Sequence, residues 1–187
     1  MKYLIIGLGN IGSEYEHTRH NIGFDVVNQI AKDFDGIFTT ERLASICRIR
    51  HKGRIYVLIK PTTFMNLSGR AVKYWMDTEN VSIDKILVVT DDLALDVGTL
   101  RMRKKGSPGS HNGLENIIEV LGRNDFARLR FGIGNDFPRG RQADFVLSPW
   151  KTSEEPIIGE KIEMAADMAL AFGTIGVERA MNQFNNK

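Results

Sequence analysis

Gly7-Leu8-Gly9-Asn10-Ile11-Gly12-Ser13-Glu14-Tyr15-Glu16-His17-Thr18-Arg19-His20-Asn21-Ile22-Gly23-Phe24 decides how the rest of the chain is read, because of what stands on either side of it. Before it, Tyr3-Leu4-Ile5-Ile6 is a short apolar run rich in β-formers and closed by glycine, the pattern of a buried strand. After it, Phe24, Val27, Ile30, Ala31 and Phe34 recur at helical spacing, with Gly36 placed for a left-handed cap. A polar loop therefore leaves the carboxyl end of a core strand. Open α/β sheets place their ligands there, since the backbone is fixed while side chains are free to point into a crevice.

Working outward, residues 45–50 and 54–60 are strand-like runs joined through His51-Lys52-Gly53, a connection short enough to demand an antiparallel hairpin. Pro61 to Leu67 is a loop, and Ser68 is placed to cap a helix with Ala71, Val72, Trp75 and Met76 on its apolar face. Lys85 to Thr90 reads as a central strand ending in Asp91-Asp92. Gly106-Ser107-Pro108-Gly109-Ser110 leads through His111-Asn112-Gly113 into a helix marked by Leu114, Ile117, Ile118 and Leu121 and closed by Gly122. Leu129 to Gly134 is a further strand. Thr152 or Ser153 opens a last long helix with Pro156 in its first turn. The order predicts a single-domain three-layer α/β sandwich over 1–187, with a mixed, mostly parallel twisted sheet flanked by helices.

A chain of 187 residues buries a sizeable core without staples or metals, and 42% hydrophobic with 26% charged residues is ordinary for a globular protein. No signal-peptide pattern or membrane-spanning run is present, so a cytoplasmic protein is expected. The single cysteine, Cys47, sits in an alternating strand pattern and reads as packing. A net charge of +2 is too mild to announce a nucleic-acid partner, but the charge is uneven: Arg101, Arg103, Lys104 and Lys105 lie together, and Arg128, Arg130, Arg139 and Arg141 follow. That basic run directly precedes the glycine-rich loop and His111, so cations able to neutralise phosphates would border the proposed catalytic edge. Arg130 is an odd residue inside a strand unless its head reaches a surface partner.

The chemistry is expected at His20. Asn10, His20, Asn66, Asp91, His111 and Asn112 each follow a strand-like run or stand at a helix entrance, so a doubly wound sheet brings several of them to one edge. A carboxylate beside a histidine holds one tautomer and stabilises the imidazolium, freeing the other nitrogen to take a proton from water; Asp91 is the natural orienter. Asparagine amides supply donors for oxyanion charge and paired contacts to a peptide backbone, which suits acyl chemistry on a peptide-like substrate.

Competing readings use the same residues. Gly7-x-Gly9-x-x-Gly12 matches the dinucleotide fingerprint, but Ser13 to Asn21 has no apolar period, so the helix starts too late for its amides to meet a pyrophosphate. The acidic partner of such a site is also missing from the tip of a second strand. His17, His20, His111 and Asp91 are a possible zinc set, without tight ligand pairs. No Gly-x-Ser-x-Gly elbow follows a strand.

The motifs Gly7 to Asn10 with Tyr15 and Thr18-Arg19-His20-Asn21, Pro61-Thr62-Thr63-Phe64-Met65-Asn66-Leu67-Ser68-Gly69, Asp91-Asp92-Leu93, Gly109 to Leu114 and Arg128 to Gly134 occur in order, and with them the chain resembles bacterial peptidyl-tRNA hydrolases along nearly its whole length. The resemblance implies hydrolysis of the ester joining a peptide to tRNA, by a metal-free, cofactor-free monomer that returns tRNA to translation. It implies His20 as general base and Asp91 as the residue that orients it. Asn10, Asn66 and Asn112 would position peptide, water and carbonyl, with Tyr15, Met65, His111 and Phe64 around the pocket. Arg103 and Arg130 would clamp a tRNA phosphate, with Arg101 and Lys105 beside them. The chain departs from the family pattern at Ala94-Leu95-Asp96, usually Asp-Leu-Pro, and at Pro108-Gly109-Ser110, commonly Gly-Gly before the histidine. A non-catalytic RNA-binding relative on the same fold is the alternative.

Overall fold

Strand β1 (Lys2–Gly7) carries Leu4, Ile5 and Ile6 with no solvent exposure in this computed structural model, which describes residues 1–185. In chain order there follow α1 (Ile22–Asp33), β2 (Thr39–Glu41), β3 (Ala44–His51), β4 (Arg54–Pro61), α2 (Ser68–Glu79) and β5 (Ile86–Asp92). The second half holds β6 (Leu100–Arg103), α3 (Asn112–Leu121), β7 (Ala127–Gly132), α4 (Gln142–Val146), α5 (Glu155–Ile175) and α6 (Val177–Phe184). The strands make one 7-stranded sheet ordered β2-β3-β4-β1-β5-β7-β6, with β1, β4, β5 and β7 parallel and β2, β3 and β6 antiparallel to their neighbours.

Because side chains alternate along a strand, the apolar run of β1 feeds two cores. Ile5, Leu87, Val89 and Leu129 pack under α1 and α5, while Leu4, Ile6, Ile86 and Val88 pack against α2 and α3. Both faces are covered, which is why the strand is continuously apolar and not alternating. From β1 the chain pairs with β4 on one side and β5 on the other, so the crevice at the carboxyl ends of these strands is the switch point of the sheet.

The first glycine of the fingerprint is explained by this packing. A Cβ on Gly7 would lie 2.3 Å from the Gly23 carbonyl oxygen, and one on Gly23 would lie 2.5 Å from both the Leu8 nitrogen and the Val89 oxygen. The first turn of α1 therefore rests directly on the backbone of β1 and β5, and the turn Arg19–Asn21 just before it is held over the sheet edge. Gly23→Ala is expected to destabilise the fold by about 3 kcal/mol or more, because backbone cannot yield as a flexible side chain does; thermal melts of the variant check this.

Several details depart from the expectation. Asp35, not Gly36, takes the left-handed conformation after α1 (φ 52°); Gly36 is needed for space, since its Cβ would meet Cys47 Sγ at 2.6 Å. Ser68 does not cap α2: it is the first helical residue and its hydroxyl donates to the Met65 carbonyl. Neither Thr152 nor Ser153 caps α5, whose cap position is Glu154. The final helical pattern breaks at Gly176 (φ 88°) into α5 and α6. The strand expected at Leu129 to Gly134 begins and ends two residues earlier, at Ala127 and Gly132. Strands β2 and β6 and the short α4 were not expected. Cys47 is buried, as expected of packing.

Candidate active site

The loops after β1, β4 and β5, the entrance of α3 and one face of α4 enclose a cleft of about 960 Å³. Asn10, Tyr15, His20, Phe64, Met65, Asn66, Asp91, His111, Asn112 and Arg130 all line it. Sheet topology performs this convergence: Asn10 and His20 follow β1, Asn66 follows β4 and Asp91 ends β5, on adjacent strands.

At its floor one buried carboxylate serves two histidines. Asp91 Oδ2 lies 2.8 Å from His20 Nδ1, and Asp91 Oδ1 lies 2.7 Å from His111 Nε2, with the Asp91 side chain 3% exposed. His111 also caps α3, its Nδ1 accepting from the backbone N–H groups of Gly113 and Leu114 at 3.1 and 3.3 Å. Its ring proton therefore sits on Nε2 and is donated to Asp91. With Asp91 as acceptor, His20 donates from Nδ1 and presents Nε2 to the cleft. Burial disfavours the His20 imidazolium, but the Asp91 charge and hydrogen bond outweigh it and raise the pKa above 6.5. Burial likewise disfavours the Asp91 carboxylate, and the two imidazoles overcome it, holding that carboxyl well below the usual range.

His20, Asp91 and His111 offer ligand atoms close enough together to suggest a cation site. The donor chemistry does not fit one. His111 Nε2 carries the proton because Nδ1 is committed to two backbone donors, so a metal there would require breaking the α3 cap or forming an imidazolate. His17, the fourth member of the suggested zinc set, lies elsewhere, paired with Asp25 at 3.0 Å.

Asn10 is fixed from three directions. Its backbone N–H donates to Asn21 Oδ1 at 2.8 Å, its carbonyl accepts from Asn21 Nδ2 at 2.9 Å, and its Oδ1 accepts from the Met65 N–H at 3.2 Å. The side-chain oxygen is thus occupied and Nδ2 remains the donor end. Asn66 and Asn112 are exposed on the rim, and Phe64 is 74% exposed beside them.

Basic residues sort themselves by strand register. Arg101 stands opposite Arg130 and Arg103 opposite Arg128, so these four point to one face of the β6–β7 edge. Burial and then the neighbouring Arg101 and Arg130 charges push the Arg103 pKa down, a crowding that a bound anion would relieve. Arg130 lines the cleft; Arg101 and Arg103 lie beside it on the same face, and Lys105 is exposed beyond the end of β6. Two members of the basic set behave otherwise. Lys104 pairs with Glu178 on α6, and Arg128 is fully buried, its guanidinium over the Phe126 ring and bonded to the carbonyls of Gly106, Ser107, Asn124 and Phe126.

Other parts of the site carried no readable signal. Gln142, Ala143, Val146 and Leu147 wall the cleft from α4 and its end, a helix too short to show a period. Arg19, 3% exposed, stacks 4.4 Å from Phe145 and bonds Pro149 O and Glu154, tying this wall to the turn that holds His20. Asn21, the lock on Asn10, is buried at the same turn.

Residues 4–187 match the peptidyl-tRNA hydrolase family. The peptidyl-tRNA hydrolase of Cytophaga hutchinsonii is 54% identical over 187 residues, covering 100% of both chains, and that of Parabacteroides distasonis is 52% identical over the same span. The crystal structure of peptidyl-tRNA hydrolase from Acinetobacter baumannii aligns with a TM-score of 0.92 at 34% identity, covering 98% of this chain and 94% of that one. With matches of this extent in both sequence and fold, the chain belongs to the peptidyl-tRNA hydrolase family.

Proposed function

We propose that this chain carries out its family's reaction, hydrolysis of the ester between peptide and tRNA, with His20 as general base. His20 Nε2 takes a proton from a water that attacks the ester carbonyl carbon, and Asp91 stabilises the resulting imidazolium through Nδ1. Asn10 Nδ2 donates to the tetrahedral oxyanion. As the intermediate collapses, the carbon–oxygen bond to the tRNA ribose breaks and the imidazolium returns its proton to the departing oxygen. The products are a free peptide carboxylate and tRNA. Asn66 and Asn112 contact the peptide backbone, Met65, Tyr15 and His111 wall the acyl group, and Phe64 lies at the mouth. Arg130, Arg103, Arg101 and Lys105 take tRNA phosphates.

The observation that supports this most is the 2.8 Å contact between His20 Nδ1 and Asp91 at the floor of an amide-lined cleft. A monomer of one domain, working in the cytoplasm without a cofactor, accords with it; among the described residues no helix is long and apolar enough to cross a membrane. A non-catalytic RNA-binding relative would bind peptidyl-tRNA without releasing peptide, so a turnover assay decides between the two. In the same assay Arg103→Glu is expected to raise KM several-fold with kcat little changed and to reduce the slope of log affinity against log salt by about one. An unchanged slope rejects the Arg103 contact.

A further inference from the structure

Asp92 follows the carboxylate that serves both histidines, and since successive strand residues point opposite ways its side chain leaves them. It reaches Arg130: Asp92 Oδ2 lies 3.4 Å from Arg130 Nη1, with the two side chains 14% and 16% exposed. The other guanidinium nitrogen, Nη2, donates to the Ser107 carbonyl at 3.0 Å, and Asp92 Oδ1 accepts from the Ala94 N–H at 2.8 Å. The one arginine of the basic face that lines the cleft is therefore already engaged by a carboxylate, at a distance longer than a well-formed charged hydrogen bond.

We propose that Asp92 is a specificity-determining residue that competes with phosphate for Arg130. The inference rests on Arg130 contacting tRNA phosphate. A phosphate arriving at Arg130 must displace Asp92 or share the guanidinium with it, and in the second case two anions face each other at a largely buried site. Either way the Arg130 contact alone is weak. It becomes favourable when Arg101 and Arg103, on the same face, are engaged by further phosphates, which only a polyanion such as tRNA provides. The same competition weakens substrate and deacylated tRNA alike, since they bear the same phosphates, and so shortens the time for which product is held after the ester is cut.

Asp92→Asn tests this because asparagine retains an oxygen for the Ala94 N–H while losing the charge; Asp92→Ser supplies a second neutral variant with an oxygen. Deacylated tRNA binding is measured at fixed ionic strength for the parent, both Asp92 variants, Arg130→Gln and Asp92→Asn/Arg130→Gln. The neutral Asp92 variants are expected to bind on the order of fivefold tighter, opposite in sign to the effect of a damaged fold, and to lower KM by a similar factor without raising kcat. The gain disappears in the double variant, which binds like Arg130→Gln alone. Binding by Asp92→Asn and Asp92→Ser that is unchanged or weaker, while Arg130→Gln still weakens it, overturns the competition. An Arg130→Gln variant with parental tRNA affinity removes the phosphate role of Arg130 itself, and the inference with it.

Discussion

Replacing His20 with alanine is expected to lower kcat by about three orders of magnitude while tRNA affinity stays within about twofold of the parent. The separation follows from the geometry. His20 lies at the floor of the cleft with its side chain 15% exposed, whereas the arginine face proposed to meet phosphate is on the β6–β7 edge. In the proposed mechanism its loss removes the acceptor for the water proton and the donor for the leaving oxygen, while the Asn10 amide remains to give residual catalysis. Structural collapse is not expected, because the turn Arg19–Asn21 is anchored by Arg19 and Asn21 independently of the imidazole. Single-turnover release of peptide beside equilibrium tRNA binding measures both quantities. Hydrolysis within tenfold of the parent assigns the base elsewhere.

Asp91→Asn is expected to be almost as damaging, for a reason that lies in His111. An asparagine has one acceptor oxygen where Asp91 uses two. His111 cannot change its tautomer without abandoning the Gly113 and Leu114 N–H groups, so it claims the amide oxygen. The NH₂ end then faces His20 Nδ1, which must become an acceptor, and the ring proton moves to Nε2. His20 is left with no lone pair for water, and kcat is expected to fall by about 10³ to 10⁴. The pH profile gives a second check. Only unprotonated His20 accepts a proton, so activity falls as pH drops through its pKa; Asp91 raises that pKa above 6.5, and in Asp91→Asn the residual activity should titrate lower. Nitrogen NMR of the imidazoles reads the tautomer directly. A variant with an unshifted acid limb and near-parental kcat would show that the carboxylate does not orient the base.

These roles were legible to different degrees. Asn10, His20, Asn66, Asp91, His111 and Asn112 each follow a strand pattern or open a helix, and in a doubly wound sheet that position alone implies a shared edge, the cleft that all six line. Lys104 adjoins the other basic residues in sequence, yet just past the end of β6 it pairs with Glu178 on α6. Arg128 reads as surface charge in any composition count, but a ring of backbone carbonyls satisfies it in the interior. Arg19 and the α4 wall left no trace in periodicity, since their contacts join residues more than a hundred positions apart.

By itself the amino-acid order determined the apolar strands, the helices with a full period, the glycine-bounded loops and the residue types able to run acyl chemistry, because these depend on neighbours within one or two turns of chain. Tertiary structure alone decided that β1 stands between β4 and β5, that one carboxylate is shared by two imidazoles, which tautomer His111 holds, and which arginines face outward. Those outcomes are set by strand order and by hydrogen bonds between distant segments, and no local pattern encodes the partner on the other side of a contact.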